Sequence, residues 1–535
     1  MTAGTITPDR SDLGAGRDGF AQLLRAEWTK FRTVRGWIIG MAVAALVTVL
    51  IGLLTASGSH CSANGQTCHP SVPVGPDGEA VTDSFYFVHQ PLAGNGSITV
   101  QVTSLTGVIP PLTARAPAGQ GQGQGPLTGG RPGVQPWTKA GIIVKENTSQ
   151  GSAYAAIMVT GAHGVRMQYN YTHDKAGLAG GVSAASPRWL RLTRSGDTLT
   201  GEESADGTRW TTVGTAHLAG LPATVQAGLF AASPGYSQIT QQHFGGETGT
   251  GGPTHATAAF DQVRLQGTWP SGAWRAEAVG ASGAGDSSLD EFKQAGGTFT
   301  VSGSGDIAPE VVGSAGAGPG QPIERTLAGA FAGLIAVIVV ATMFITAEYR
   351  RGLIRTTLAA SPRRGRVLVA KAIVIGSVAF VAGLVAAAVA LPLDTRILRA
   401  NGNLLLPVGS LTELRVIVGT AALLAVAAVL ALAVGAVLRR SAAAVTAGIV
   451  AIVLPYILAT AYVLPTGPSQ WLLRLTPAAA FAIQQSIPQY PQVSNDYTPV
   501  FGYYPLAPWA GFAVLCAYAT LALGLAVVRL RRRDA

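Results

Sequence analysis

Six stretches of this chain are long enough and apolar enough to cross a bilayer as helices, which leaves few folds open to it. They lie near Trp37–Ala56, Thr326–Thr346, Val367–Leu391, Val416–Leu438, Ala443–Leu464 and Pro508–Val528. A crossing takes about 20 helical residues, and each stretch reaches that length almost without charge. The exception is Lys371, near enough to one end for its long side chain to reach the interface. Composition agrees: 48% of the 535 residues are hydrophobic and 12% are charged, roughly half the charged share of a soluble domain. The net charge of +10 does not point to nucleic acid, because the basic residues cluster beside the apolar stretches.

Those basic residues also orient the chain, since short cytoplasmic loops carry the excess of Lys and Arg. With the N-terminus inside, the flanks 21–36, 347–366, 439–442 and 529–535 hold 4, 6, 2 and 4 of them. The outer loops 391–415 and 465–507 hold 3 and 1. Both termini are therefore expected in the cytoplasm, with residues 57–325 outside. The first span lies too far into the chain and is too long for a cleavable signal, so it reads as a signal anchor. Cys61 and Cys68 fall just beyond it on the outer side. Their spacing suits a small disulfide loop in an oxidising compartment; His60 and His69 flank the pair and leave a metal site as the competing reading.

Between the spans the character changes twice. Residues 1–19 are polar and expected to be disordered. Residues 20–36 read as an amphipathic interfacial helix: Phe20, Leu24, Trp28 and Phe31 recur at helical spacing, while Arg25, Lys30 and Arg32 fall largely elsewhere. Residues 57–325 read as strands. Val165, Met167, Tyr169 and Tyr171 alternate with Arg166, Gln168 and Asn170, and Asp206-Gly207 marks a tight hairpin turn. An all-β sandwich of jelly-roll type over about 80–268 follows, with a Gly-rich tether to 325. The fold class is thus a multi-span α-helical membrane protein with an extracellular β-domain between its first and second spans.

Catalytic signatures are missing. There is no GxxxxGK[ST] loop to cradle a nucleotide, no GxSxG elbow and no HExxH. Glu202 and Glu203 are adjacent and would point to opposite faces of a strand, so with Asp206 they read as a solvated hairpin. No metal site or bound cofactor is expected beyond the histidine alternative above. The densest run of specific polar groups joins spans two and three: Glu348, Tyr349, Arg350, Arg351, Arg355, Thr356, Thr357 and Arg363. It suits either headgroup contacts or the docking of a soluble partner.

Three stretches resemble permease subunits of the type-2 ABC exporter class. Arg25-Ala-Glu-Trp-Thr-Lys-Phe-Arg-Thr-Val-Arg-Gly-Trp37 resembles their N-terminal connecting helix. The run from Glu348 through Arg363 resembles the loop that meets the ATPase. Trp471-Leu-Leu-Arg-Leu-Thr-Pro-Ala-Ala-Ala-Phe-Ala-Ile-Gln484 resembles the outer segment between spans five and six. The resemblance implies a non-catalytic subunit in a bacterial plasma membrane, paired with a second permease copy. A separate ATP-binding cassette subunit, which would carry ATP and Mg, is expected to dock at 347–366 and at Trp28, Lys30, Phe31 and Arg32. The long outer loop departs from the common members. Its stretch 137–232 resembles concanavalin-A-like lectin/glucanase modules, which implies a possible cell-wall glycan partner. The alternative is a membrane-anchored glycan-binding or sensory protein.

Overall fold

The computed structural model describes residues 19–63, 66–68, 71–109, 130–242, 246–270, 272–280, 289–313, 320–350, 352, 364–461, 463–495 and 497–533. Its helices are α1 (Phe20–Thr33), α2 (Arg35–Gly58), α3 (Ala330–Arg350), α4 (Arg364–Ala400), α5 (Ser410–Leu438), α6 (Ser441–Thr460), α7 (Thr466–Leu475) and α8 (Pro508–Arg533). Six of them, α2 to α6 and α8, are long and apolar enough to span a membrane. The protein is a multi-pass membrane protein. The tail 1–18 lies outside the described residues.

Small residues set the closest helix contacts. Ala44, Thr48, Gly52 and Ala56 form a buried stripe on α2, each four residues from the last. Gly329 and Gly333, a GxxxG pair at the start of α3, press into it. A Cβ on Gly329 would lie 1.9 Å from the Thr48 carbonyl oxygen, and one on Gly333 would lie 2.1 Å from Thr48 Oγ1. α6 contains a π turn at Ile449–Val453, immediately before Pro455. Proline removes a helix donor, and a wide turn is a usual accommodation.

The third span differs from its expected bounds. α4 runs 37 residues, through Pro392, to Ala400, so residues 392–400 were misread as loop. Two of its charged groups are buried. Lys371 does not reach out to the interface: it is 1% exposed and enclosed by protein. Asp394 is fully buried against Gly52, where a Cβ would meet its carboxylate. The spans are therefore not free of buried charge.

The β-domain is built on one large antiparallel sheet folded back on itself, with small two-stranded sheets beside it. Its strands are β1 (Phe85–Ile109), β2 (Lys139–Lys145), β3 (Tyr154–Thr160), β4 (Val165–Tyr169), β5 (His173–Ala176), β6 (Arg188–Ser195), β7 (Thr198–Ser204), β8 (Thr211–His217), β9 (Thr224–Ala232) and β10 (His255–Thr268). The main path runs β8-β7-β6-β1-β9-β2-β3-β4-β5. β1 belongs to both halves. Its first part pairs with β9, its later part with β6, and Gly94 bends it between them at φ +68°. The halves face each other across an apolar interior that includes Ile98, Val100, Ile142, Ile157, Met167 and Leu190. Gly201 of β7 leaves room for the Met167 sulfur of the opposite half.

Residues 269–312 are not a tether. Strands Arg275–Val279, Glu291–Ala295, Thr298–Gly303 and Ile307–Pro309 pair with β1, with each other, with β10 and with Val81–Asp83. Two buried ion pairs fasten this added layer: Lys145 to Asp83 at 2.7 Å and Lys139 to Asp306 at 2.6 Å. β7 and β8 form the expected hairpin, but through a loop over 205–210 rather than a tight turn, with Asp206 Oδ1 accepting from the Thr208 and Arg209 amides. Glu203 is buried rather than solvated, accepting from the Leu178 amide.

The domain is seated on the helices at several places. Ala80, Ala308, Val311 and Val312 share a buried cluster with Leu406, Ile487, Val493 and Tyr503. The Gln492 side chain donates to the carbonyls of Tyr171 and Thr172, and the Tyr503 hydroxyl accepts from the Val312 amide. At the α2 exit, Asn403 donates to the Ser59 carbonyl and the Cys61 amide to the Asn401 carbonyl. Cys61 and Cys68 are disulfide-bonded with their Cα atoms 5.4 Å apart.

Candidate functional site

Four charges from three helices meet at the end of the bundle that carries α1. Lys371 Nζ of α4 lies 2.6 Å from Glu27 Oε2 of α1 and 2.6 Å from Glu348 Oε1 of α3. Lys30 of α1 closes the ring, 2.9 Å from Glu27 and 3.5 Å from Glu348. Two acids and two bases make the group neutral. A buried ion costs several kcal/mol unless it is paired, and here the side chains of Lys371 and Glu27 are each 1% exposed. Lys371 also sits 4.9 Å from the centre of the Phe344 ring. Burial alone would lower the Lys30 pKa, but the Glu27 and Glu348 carboxylates override it and hold the ammonium above its usual range.

Sequence local to each residue explains the placement. α1 is amphipathic, but its inward residues are Phe31 and Glu27. Phe31 meets Phe344 edge-on, with ring centres 5.8 Å apart. Trp28 points away and is 46% exposed. Of the residues expected to meet a partner, Glu348 joins the ion cluster. Tyr349 packs beneath Arg439, whose guanidinium is 5.2 Å from its ring, and Arg350 is exposed. Arg351, Arg355, Thr356, Thr357 and Arg363 lie outside the described residues. Glu27 was not foreseen as a site residue, and Lys371 only as a surface-reaching side chain. Both were visible, as a lone Lys in an apolar span and a lone Glu in a basic helix; intramembrane charge is a functional flag by default.

The structure thus places α1 against the last turn of α3 and the second turn of α4, the two helices that flank 351–363. A sequence profile of the ABC-2 family transporter proteins matches residues 170–535, more than half of the chain.

The chain belongs to the ABC-2 transporter family.

As an ABC-2 protein it is a permease subunit of an ABC transporter, and the family implies an ABC ATPase as partner. None of the curated proteins matches this chain. Among solved structures, a functionally unknown protein from Saccharomyces cerevisiae is 17% identical over 38% of this chain and 86% of its own, with a TM-score of 0.22. The GH43 protein BlXynB from Bacillus licheniformis is 14% identical over 32% of this chain and 28% of its own, at 0.18. Scytalido-glutamic peptidase with a transition state analog inhibitor is 8% identical over 41% and 98%, at 0.26. Such scores assign nothing to this ABC-2 protein.

The opposite end of the permease holds a second polar group. Segment Pro477–Gln484 is a buried 3-10 turn beneath a cavity of about 620 Å³ lined by Arg415, Gln485, Ser486 and Tyr504. Arg415 donates to the Gln485 carbonyl at 2.6 Å. Glu324, in the turn before α3, accepts from the Ser486 amide at 3.2 Å. Desolvation raises the Glu324 pKa from 4.5 to about 7, against the opposing pull of Ser486 and Arg415. An acid whose pKa is raised on folding binds its proton more tightly in the folded state. Its contribution to stability is therefore fully present below the unfolded value and falls as pH rises through the 4.5-to-7 window. Glu324→Gln should remove up to about 3 kcal/mol of that dependence. Thermal unfolding in detergent at pH 5 and pH 8 checks this; an unchanged difference between the two pH values in the variant would refute it.

Proposed function

We propose that this protein is the membrane half of an ATP-driven exporter, working as a pair of permease copies with two separate ATPase subunits. The observation that carries the reading is the Glu27–Lys30–Glu348–Lys371 cluster, because it ties α1 to both helices flanking the 347–366 loop. A subunit docking on that loop and on α1 would push on one fastened unit. Its work would reach α3 and α4 directly, provided its contacts differ between two arrangements of the permease. In this reading the α1 end is cytoplasmic, as the basic flanks indicate, and the β-domain is extracellular. The disulfide at 61–68 suits that side.

Exchanging Arg351 and Arg355 for Glu should abolish co-purification of the ATPase while leaving membrane insertion intact. Normal recovery of the ATPase with that variant would sink the docking assignment.

The outer domain is proposed to be a concanavalin-A-like module, on the resemblance of 137–232 and the folded antiparallel sheet. Glycan binding is not part of the proposal. Among the described residues of the β-domain no tryptophan is exposed. Trp189 lies between Arg264 and the Gly207 turn, and Trp210 lies 3.7 Å beneath the Arg191 guanidinium.

A further inference from the structure

A buried acid without a partner stands in the last two turns of α4, at the end of the bundle that carries the β-domain. Asp394 is 0% exposed, and neither of its carboxyl oxygens has a hydrogen-bond partner among the described residues. Gly52 of α2 lies directly against it: a Cβ there would stand 2.3 Å from Asp394 Oδ2 and 3.0 Å from the Thr326 carbonyl oxygen. The rest of the wall is apolar. On the same face of α4, Ala390 and Leu391 share a buried cluster with Ile323 and Leu327, and Leu398 shares one with Ala56. The charged groups of the packed elements turn elsewhere. α2 has none beyond Arg35, at its far end. In the turn before α3, Arg325 is exposed and Glu324 faces the Ser486 amide. Arg396 and Arg399 of α4 and Glu413 of α5 are exposed, and Arg415 holds the Gln485 carbonyl.

Lys371 keeps its charge inside the bundle because carboxylates meet it; Asp394 has no such company. Burying an unpaired carboxylate costs far more than burying the neutral acid. The Thr326 carbonyl is an acceptor, which repels a carboxylate and suits a protonated carboxyl group. We propose that Asp394 is a proton-binding site: the proton it holds lets α2 close on α4, and its release drives that end of the two helices apart. A charged carboxylate finds water or an exposed arginine only if Gly52 withdraws from it. The movement would reach the β-domain through its first neck. Asn401 and Asn403, just past α4, donate to the Ala56 and Ser59 carbonyls at the end of α2, and these bonds hold only while the helices are together. That the proton comes from outside the cell rests on the orientation proposed above; the site itself does not.

The test is amide hydrogen exchange of the full chain in neutral detergent, followed at 50–58 and 390–400 between pH 5 and pH 8. Rates are corrected for the intrinsic pH dependence of exchange. Glu324→Gln is the background throughout, so that the other buried acid does not contribute. With Asp394 present, the parted form should gain roughly tenfold per pH unit above about pH 4, where an exposed aspartate gives up its proton. Protection should therefore fall as pH rises. Asp394→Asn, which keeps the shape of the neutral acid, should stay protected with a flat profile. If that variant does not fold, Asp394→Ser should show the same flat profile. Protection that is independent of pH with Asp394 present overturns the proposal. So does an equal pH dependence in the neutral variant, or a neutral variant less protected than its parent at pH 8. Restored protection at pH 8 when sodium chloride replaces choline chloride also overturns it, and assigns the carboxylate to a cation. The measurement needs neither the ATPase nor a membrane orientation, so its failure leaves the permease reading standing.

Discussion

Lys371→Met should cost about 3–5 kcal/mol, the loss expected when one partner of a buried ion group is removed and the others stay. Two acids would remain at the site, Glu27 almost fully buried and Glu348 nearly so. Lys30 would keep its 2.9 Å pair with Glu27 but compensates only in part, since its side chain is 41% exposed and its contact to Glu348 is the longer, at 3.5 Å. The variant should lose the docked state of α1 before the rest of the bundle, so limited proteolysis near residue 34 should report it. The triple change Glu27→Gln, Glu348→Gln and Lys371→Met should recover most of the loss, because a neutral hydrogen-bonded site carries no desolvated charge. A Lys371→Met protein with parental stability and protease resistance would mean that the cluster is not paired as described.

Gly329→Ala should be nearly as damaging for a single methyl group. The added carbon would stand 1.9 Å from a backbone oxygen of α2, and no rotamer can relieve a backbone contact. α2 must move away, at the 1–3 kcal/mol or more typical of overpacking. Gly333→Ala offers the control. Its clash is with the Thr48 side chain, so Thr48→Ala should rescue Gly333→Ala but not Gly329→Ala. Rescue of both, read by thermal unfolding in detergent, would contradict the packing.

The six spans were legible because a spanning helix is written in consecutive residues, and length with apolarity suffices. What failed were pairings made at a distance. Lys371 finds Glu27 344 positions away, and nothing near either residue announces the other. The end of α4 was lost because Pro392, Asp394, Arg396 and Arg399 look like the polar loop that ordinarily follows a span. In the β-domain the alternation at 165–169 marked a strand, although Asn170 and Tyr171 turn out of it and Gln168 is buried. The segment 275–309 was not read as strands. Its strands are short, Gly-rich sequence surrounds them, and their partners lie in β1 and at 81–83. The GxxxG at 329–333 stood in plain sequence and went unread because the span was judged by length alone. Of the expected docking residues on the 347–366 loop, only Glu348, Tyr349 and Arg350 fall on described structure.

The seat of the β-domain bears on how such a chain could have arisen. A module dropped into a loop ordinarily meets its host at two neck segments and can be cut out again. Here the host supplies Gln492, Asn403, Tyr503, Leu406, Ile487 and Val493 to receive it. Excising residues 59–321 to imitate a short-loop permease would uncover that apolar seat and strand its polar groups. The two parts have become mutually fitted, and a change on either side of the seam asks for an answering change on the other.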